Sequence, residues 1–147
     1  MDSKSDEEKM EINKKKVSGA QYSPISQRLF WDLYNLIGND KTKFGELNIE
    51  FVLAKNKKCF AYDYVDTYRK KCIEFNGDFW HCNPNEYNEN YVHRVKGITA
   101  LEIWENDRIK NELIKKRGYD VLIIWESDYR KNPKETLEKC LKFLNEF

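Results

Sequence analysis

The chain predicts an α/β fold in which one mixed central sheet is flanked by helices, and three observations lead there. Apolar residues recur at helical spacing in three separate segments, shorter apolar runs lie between them, and turn residues mark each change of period. The resulting order is helix, three strands, helix, strand, helix. A length of 147 residues fits one domain able to bury a real core, and aromatic residues, 14% of the chain, supply much of it.

Residues 1–20 begin with MDSKSDEEKMEINKKK, too poor in apolar groups to repay the entropy of ordering, and are expected to form a flexible polar arm ahead of a folded domain, 21–147. Ser23 can cap a first helix that starts at Pro24, carries Ile25, Leu29, Leu33, Leu36 and Ile37 at helical spacing, and stops at Gly38 and Asn39. Phe44, Leu47, Ile49, Phe51 and Leu53 then suggest one strand. Lys55 to Lys58, with Asn56, make a turn, and Phe60 to Val65 form the returning strand. After the polar turn Asp66 to Lys71 comes a third strand, Cys72 to Phe75, so the middle of the chain reads as an antiparallel meander.

Residues Asn83 to Lys96, NPNEYNENYVHRVK, have turn composition and no period, which describes a loop. Thr99 can cap the second helix, with Ile103, Trp104, Ile109, Leu113 and Ile114, and Gly118 ends it. The run Val121 to Trp125 predicts a strand buried on both faces. Asn132 and Pro133 open the last helix, whose stripe is Leu137, Leu141 and Leu144.

Composition excludes more than it identifies. The formal net charge of +1 does not announce a polyanionic partner, so any basic surface must be local. Cys59, Cys72, Cys82 and Cys140 lack paired zinc-finger spacing, and neither a secretory signal nor an apolar span is visible, which predicts a reduced, cytoplasmic protein without membrane contact.

The densest chemistry lies in EFNGDFWHCNP, from Glu74 to Pro84, downstream of a lone acid, Asp63, in YDYV. Hard oxygen ligands beside a histidine are what metal-assisted phosphodiester cleavage needs. Because strand side chains alternate, Glu74 and Asn76 should share one face while Ile73 and Phe75 enter the core. An acid on one strand and a second on the next is similar to the PD-(D/E)XK nuclease superfamily, whose lysine position holds Asn76 here. His81 is the substitute expected from the sequence.

The resemblance sharpens over Ser23 to Asp128. GDFWHCNP, together with NDRIKNELIKKRGYDVLIIWESD, resembles the very-short-patch-repair (Vsr) endonucleases and the related EDxHD homing endonucleases of phages. It implies a PD-(D/E)XK-type core and a Mg²⁺-dependent DNA endonuclease, with Mn²⁺ able to substitute. Asp63 and the Phe75 carbonyl would hold the metal, His81 would act in catalysis, and Phe79 and Trp80 would wedge into the base stack. Glu74 is expected as a further metal ligand, and Asp107 as a group that steadies His81 or a bound water.

Departures from Vsr matter as well. Its first histidine is Asn76 here, its helix glutamate falls near Ser26 or Gln27, and its zinc ligands fall at Asn83, Asn85 and Ser127, so no zinc is expected. The extra acids Glu74 and Asp78 bring the site closer to the phage homing type.

Plainer roles stand beside these. Asp78 can shape the turn after Gly77 as readily as take part in catalysis, and adjacent aromatics are more often core than wedge. Trp80 is favoured as the exposed member of its pair. Asp107 and Lys110, one turn apart, by default form a surface ion pair, with Lys110 also a candidate DNA contact. Lys14, Lys15 and Lys16 could brush a phosphate backbone, and His93 could touch phosphate or nothing. Glu126 is left without a role. The expected partner is double-stranded DNA, with a homodimer or an additional DNA-binding module as options. Restriction, mismatch repair, or a DNA-binding protein that has lost catalysis are the alternatives.

Overall fold

The computed structural model describes residues 22–47 and 50–146. The expected N-terminal arm, with Lys14, Lys15 and Lys16, lies outside the described residues, as does Ile49.

Helix α1 (Pro24–Ile37) begins where Ser23 Oγ accepts the Ser26 N–H, and it buries Leu29, Phe30 and Leu33. The strand expected from Phe44 to Leu53 is instead two strands, β1 (Thr42–Phe44) and β2 (Phe51–Lys55). Phe44 and Leu47 are three residues apart, a spacing that alternation cannot place on one face, and the Leu47 N–H closes a turn on the Phe44 carbonyl at 3.2 Å. The returning strand is also split, into β3 (Lys58–Tyr62) and β4 (Tyr64–Asp66), with Asp63 at the break. Strand β5 (Lys71–Asn76) is buried along its whole length.

A meander therefore describes only part of the arrangement. Strands β2 and β3 pair as a separate hairpin, while the main sheet has the order β1-β4-β5 followed by β6 (Asp120–Trp125). β4 is antiparallel to both β1 and β5, and β6 is parallel to β5, so the sheet is mixed and the fold is α/β. The parallel pair needs a crossover, which helix α2 (Ala100–Lys116) provides. Thr99 and Glu102 form a reciprocal cap at its start: Thr99 Oγ1 accepts the Glu102 N–H at 3.2 Å and donates to Glu102 Oε1 at 3.1 Å.

As the edge strand, β6 buries only Ile124 fully, where burial on both faces was expected. A short helix, α3 (Glu126–Lys131), follows it directly and precedes α4 (Pro133–Asn145). Sequence periodicity missed α3 because ESDYRK contributes a single buried residue, Tyr129, set edge-on to Phe75 at 5.8 Å.

Two apolar layers sandwich β5. Ile73 and Phe75 join Leu29, Phe30, Phe44, Tyr64 and Leu144 on one side, as expected for their face, while Cys72 meets Tyr62, Val65, Leu113 and Ile114 on the other. Each fully buried Leu, Ile or Phe here contributes about 1.5–3 kcal/mol. Double burial fixes the register of β5, and with it the position of Glu74.

Candidate active site

The β4–β5 ladder ends at the pair Tyr64 and Ile73, and just beyond it two carboxylates take over the backbone partners. The Asp63 N–H donates to Glu74 Oε2 at 2.8 Å, and the Phe75 N–H donates to Asp63 Oδ2 at 2.8 Å. This exchange fixes both acids against the main chain. The break between β3 and β4, which the sequence reading passed over, is what lets Asp63 turn toward its neighbour.

The sequence offered no basic partner for this pair, and the structure supplies one from α2. Lys110 Nζ lies 2.6 Å from Glu74 Oε1 and stands over the Tyr62 ring at 5.1 Å. The Tyr62 hydroxyl donates to the Lys110 carbonyl at 2.7 Å, which ties the helix to β3. Lys110 is thus committed to the acid pair instead of a surface bridge with Asp107. Burial alone would lower the Lys110 pKa, but Glu74 and Asp63 outweigh it and hold the ammonium above the ordinary lysine range. Burial, and then the charge of Glu74, push the Asp63 carboxyl well above the usual carboxylate range despite the opposing pull of Lys110.

Asp107 engages His81, as one of its two expected roles requires. Its Oδ2 is 2.8 Å from His81 Nδ1. With Nδ1 donating to the carboxylate, the lone pair of neutral His81 sits on Nε2. His81 itself is held by its N–H on the Gly77 carbonyl at 3.0 Å, within a run of turns that spans Asp78 to Cys82.

Asp63, His81, Lys110 and Trp80 line one cleft of about 710 Å³ between the first helix and the hairpin side of the sheet. Glu50, Glu126 and Gln27 line it too. Neither glutamate was given a role from sequence: Glu50 lies in a stretch read as strand, and Glu126 opens the unrecognised helix α3. Ser26 and Gln27, the two helix positions where the resemblance leads one to look for a glutamate, both line the cleft, and Gln27 Oε1 accepts the Glu46 N–H at 3.0 Å.

Other candidates are placed elsewhere. Asp78, grouped with the catalytic acids from sequence, is a turn-shaping residue: its Oδ1 accepts from Asn83 Nδ2 at 2.7 Å and from Ser127 Oγ at 3.0 Å. Two of the three positions at which Vsr would carry zinc ligands are therefore joined through a carboxylate. Asn76 opens into a different depression, shared with Trp104, Asp107 and Trp125, and so stands apart from Asp63. His93, for which phosphate contact was open, is fully buried.

Phe79 is half-buried and Trp80 is 49% exposed, which matches the expected division of that pair, although a turn and not an extended segment separates their directions. Their rings meet edge-on at 5.0 Å.

Two adjacent carboxylates suit Mg²⁺, which takes one or two protein carboxylates and keeps several waters. Among the described residues no group of three or more His, Cys, Asp and Glu side chains could hold a metal, so a metal here would complete its shell with water and substrate oxygen. Among these residues, too, no helix is long and apolar enough to cross a membrane. Comparison with protein-family models, with curated proteins and with solved structures finds no significant match to this chain.

Proposed function

We propose that the chain is a Mg²⁺-dependent DNA endonuclease with a PD-(D/E)XK-type core, of the homing or Vsr-like kind and acting in the cytoplasm. One observation carries this reading: Asp63, which lines the cleft, and the buried Glu74 beside it share Lys110, which pairs with Glu74 directly and acts on Asp63 through its charge. Ionised together, the three groups hold a net charge of −1, and low-dielectric surroundings make that charge costly unless a proton neutralises Asp63 or a cation joins the pair. Asp63 and Glu74, with the Phe75 carbonyl, would hold that cation. Bound there, Mg²⁺ would supply charge neutralisation at the phosphate and acidify a water.

The chain's own groups account for the rest. Nε2 of His81 accepts a proton as a water oxygen attacks phosphorus, and Asp107 stabilises the imidazolium through Nδ1. The new P–O bond forms as the bond to the 3′ oxygen breaks, that oxygen takes up a proton, and a 5′ phosphate remains. Lys110 supports the acid pair from α2, a charge that the superfamily draws from the strand position held here by Asn76. Trp80, exposed at the cleft, is suited to stack on a base, worth on the order of 1–3 kcal/mol.

Cleavage of supercoiled plasmid with Mg²⁺ or EDTA tests this. Native protein should nick or linearise DNA only with Mg²⁺, and Asp63→Ala or His81→Ala should abolish cutting while DNA affinity persists. Native protein that binds DNA and cuts none, across Mg²⁺ and Mn²⁺, would instead mark a binding protein on the same scaffold.

A further inference from the structure

The turn that carries Trp80 is braced by a second loop, residues 92–96, that has no role in the chemistry above. His93 is its hub. Its Nδ1 accepts the Val95 and Lys96 N–H groups at 3.1 and 3.0 Å, so the ring proton is on Nε2, which donates to the Phe79 carbonyl at 3.1 Å. The imidazole also packs against Phe79 at 4.3 Å and stacks on Trp80 at 5.5 Å. These contacts tie the two loops together.

Two cations are fixed on the 92–96 loop. The Arg94 guanidinium stands over the Phe79 ring at 5.1 Å, and Lys96 Nζ donates to the Trp80 carbonyl at 2.7 Å, leaving two of its protons free of that bond. Both residues are exposed, and the nearest acids in sequence, Glu89 and Glu102, lie outside the loop itself. The loop thus presents two cations, and no acid of its own, beside an exposed tryptophan that lines the cleft. Arg and Lys so placed suit the phosphates of a nucleic-acid backbone.

We infer that the 92–96 loop is a DNA-backbone clamp, in which Arg94 and Lys96 bind phosphates flanking the step at which Trp80 stacks, with His93 as the positioning residue. This rests on the DNA-cleaving reading above and adds the surface that seats the duplex. Binding can be measured without cleavage, in EDTA, with a fluorescent DNA duplex between about 50 and 200 mM salt. Arg94→Ala/Lys96→Ala should weaken binding and reduce the slope of log affinity against log salt by about two, one per phosphate contact. The control Lys134→Ala/Lys139→Ala, which removes the same charge from exposed positions of α4, should leave the slope unchanged.

An unchanged slope in the loop variant, or an equal loss in the control, overturns the clamp. So does native protein that fails to bind the duplex. Plasmid cleavage by native protein, scored separately, reports on the endonuclease reading, so a clamp that fails beside intact Mg²⁺-dependent cutting is a failure of this inference alone.

Discussion

Asp63 is the residue at which the proposed function and stability conflict. Its carboxyl is held well above the usual range by burial and by Glu74, so between its unfolded and folded pKa values the native state binds a proton that the unfolded chain has released. Stability from this group is therefore greatest below the unfolded pKa, about 3.9, and falls as pH rises toward the folded value. Asp63→Asn removes that liability: its amide oxygen can still accept the Phe75 N–H, and Glu74 and Lys110 become a balanced pair. The variant should be inactive yet more stable than native protein at pH 7, with a smaller gain at pH 4.5, as read by urea unfolding at both values. A variant less stable than native at pH 7 would remove the charge-imbalance account. Sequence reasoning found Asp63 and Glu74 from their order on neighbouring strands, but not their cation. The signal for Lys110 was present, since it shares a helix face with Asp107; local spacing could not show that each residue reaches across the fold to a different partner.

At the scale of elements, the β2–β3 hairpin was legible because Asn56 lies between two short apolar runs, while its backbone demand was not. Asn56 and Lys57 both have positive φ, 51° and 65°, the pattern of a tight type I′ turn. Asparagine tolerates that conformation well, whereas lysine pays for its Cβ with about 1 kcal/mol. Lys57→Gly should therefore raise the unfolding free energy by up to about 1 kcal/mol, less what glycine costs in unfolded-state entropy, with no change in cleavage. A drop in the urea midpoint would mean that the Lys57 side chain stabilises the hairpin in some other way. The same reasoning separates what else was readable. Helices α1, α2 and α4 announced themselves through caps and apolar stripes, and their starts at Pro24, Ala100 and Pro133 match Ser23, Thr99 and Asn132 as capping residues. α3 has no stripe, and the break at Asp63 coincides with its backbone contact to Glu74 on the neighbouring strand, a pairing that no local pattern encodes.

For the molecule as a whole, 26 basic and 25 acidic residues nearly cancel, so the sequence could not reveal where charge stands unbalanced. Folding sorts it: an acid pair with one lysine beside the cleft, and two cations on the loop beside Trp80. An ion that binds the folded cleft and not the unfolded chain must stabilise the fold by linkage, independently of any activity. Mg²⁺ at ten times its dissociation constant would add about 1.4 kcal/mol, enough to raise the melting temperature by several degrees for a domain of this size. Because the metal and the proton compete for Asp63, the shift should be larger at pH 7 than at pH 5. Asp63→Asn should lose most of it, and Ca²⁺, another oxygen-seeking cation, should reproduce some of it in native protein. Thermal melts with Mg²⁺, Ca²⁺ or EDTA at both pH values measure this without any nuclease assay. Equal shifts in native and Asp63→Asn protein would place the ion elsewhere on the surface, and the acid pair would then be a folding motif balanced by protonation instead of by metal.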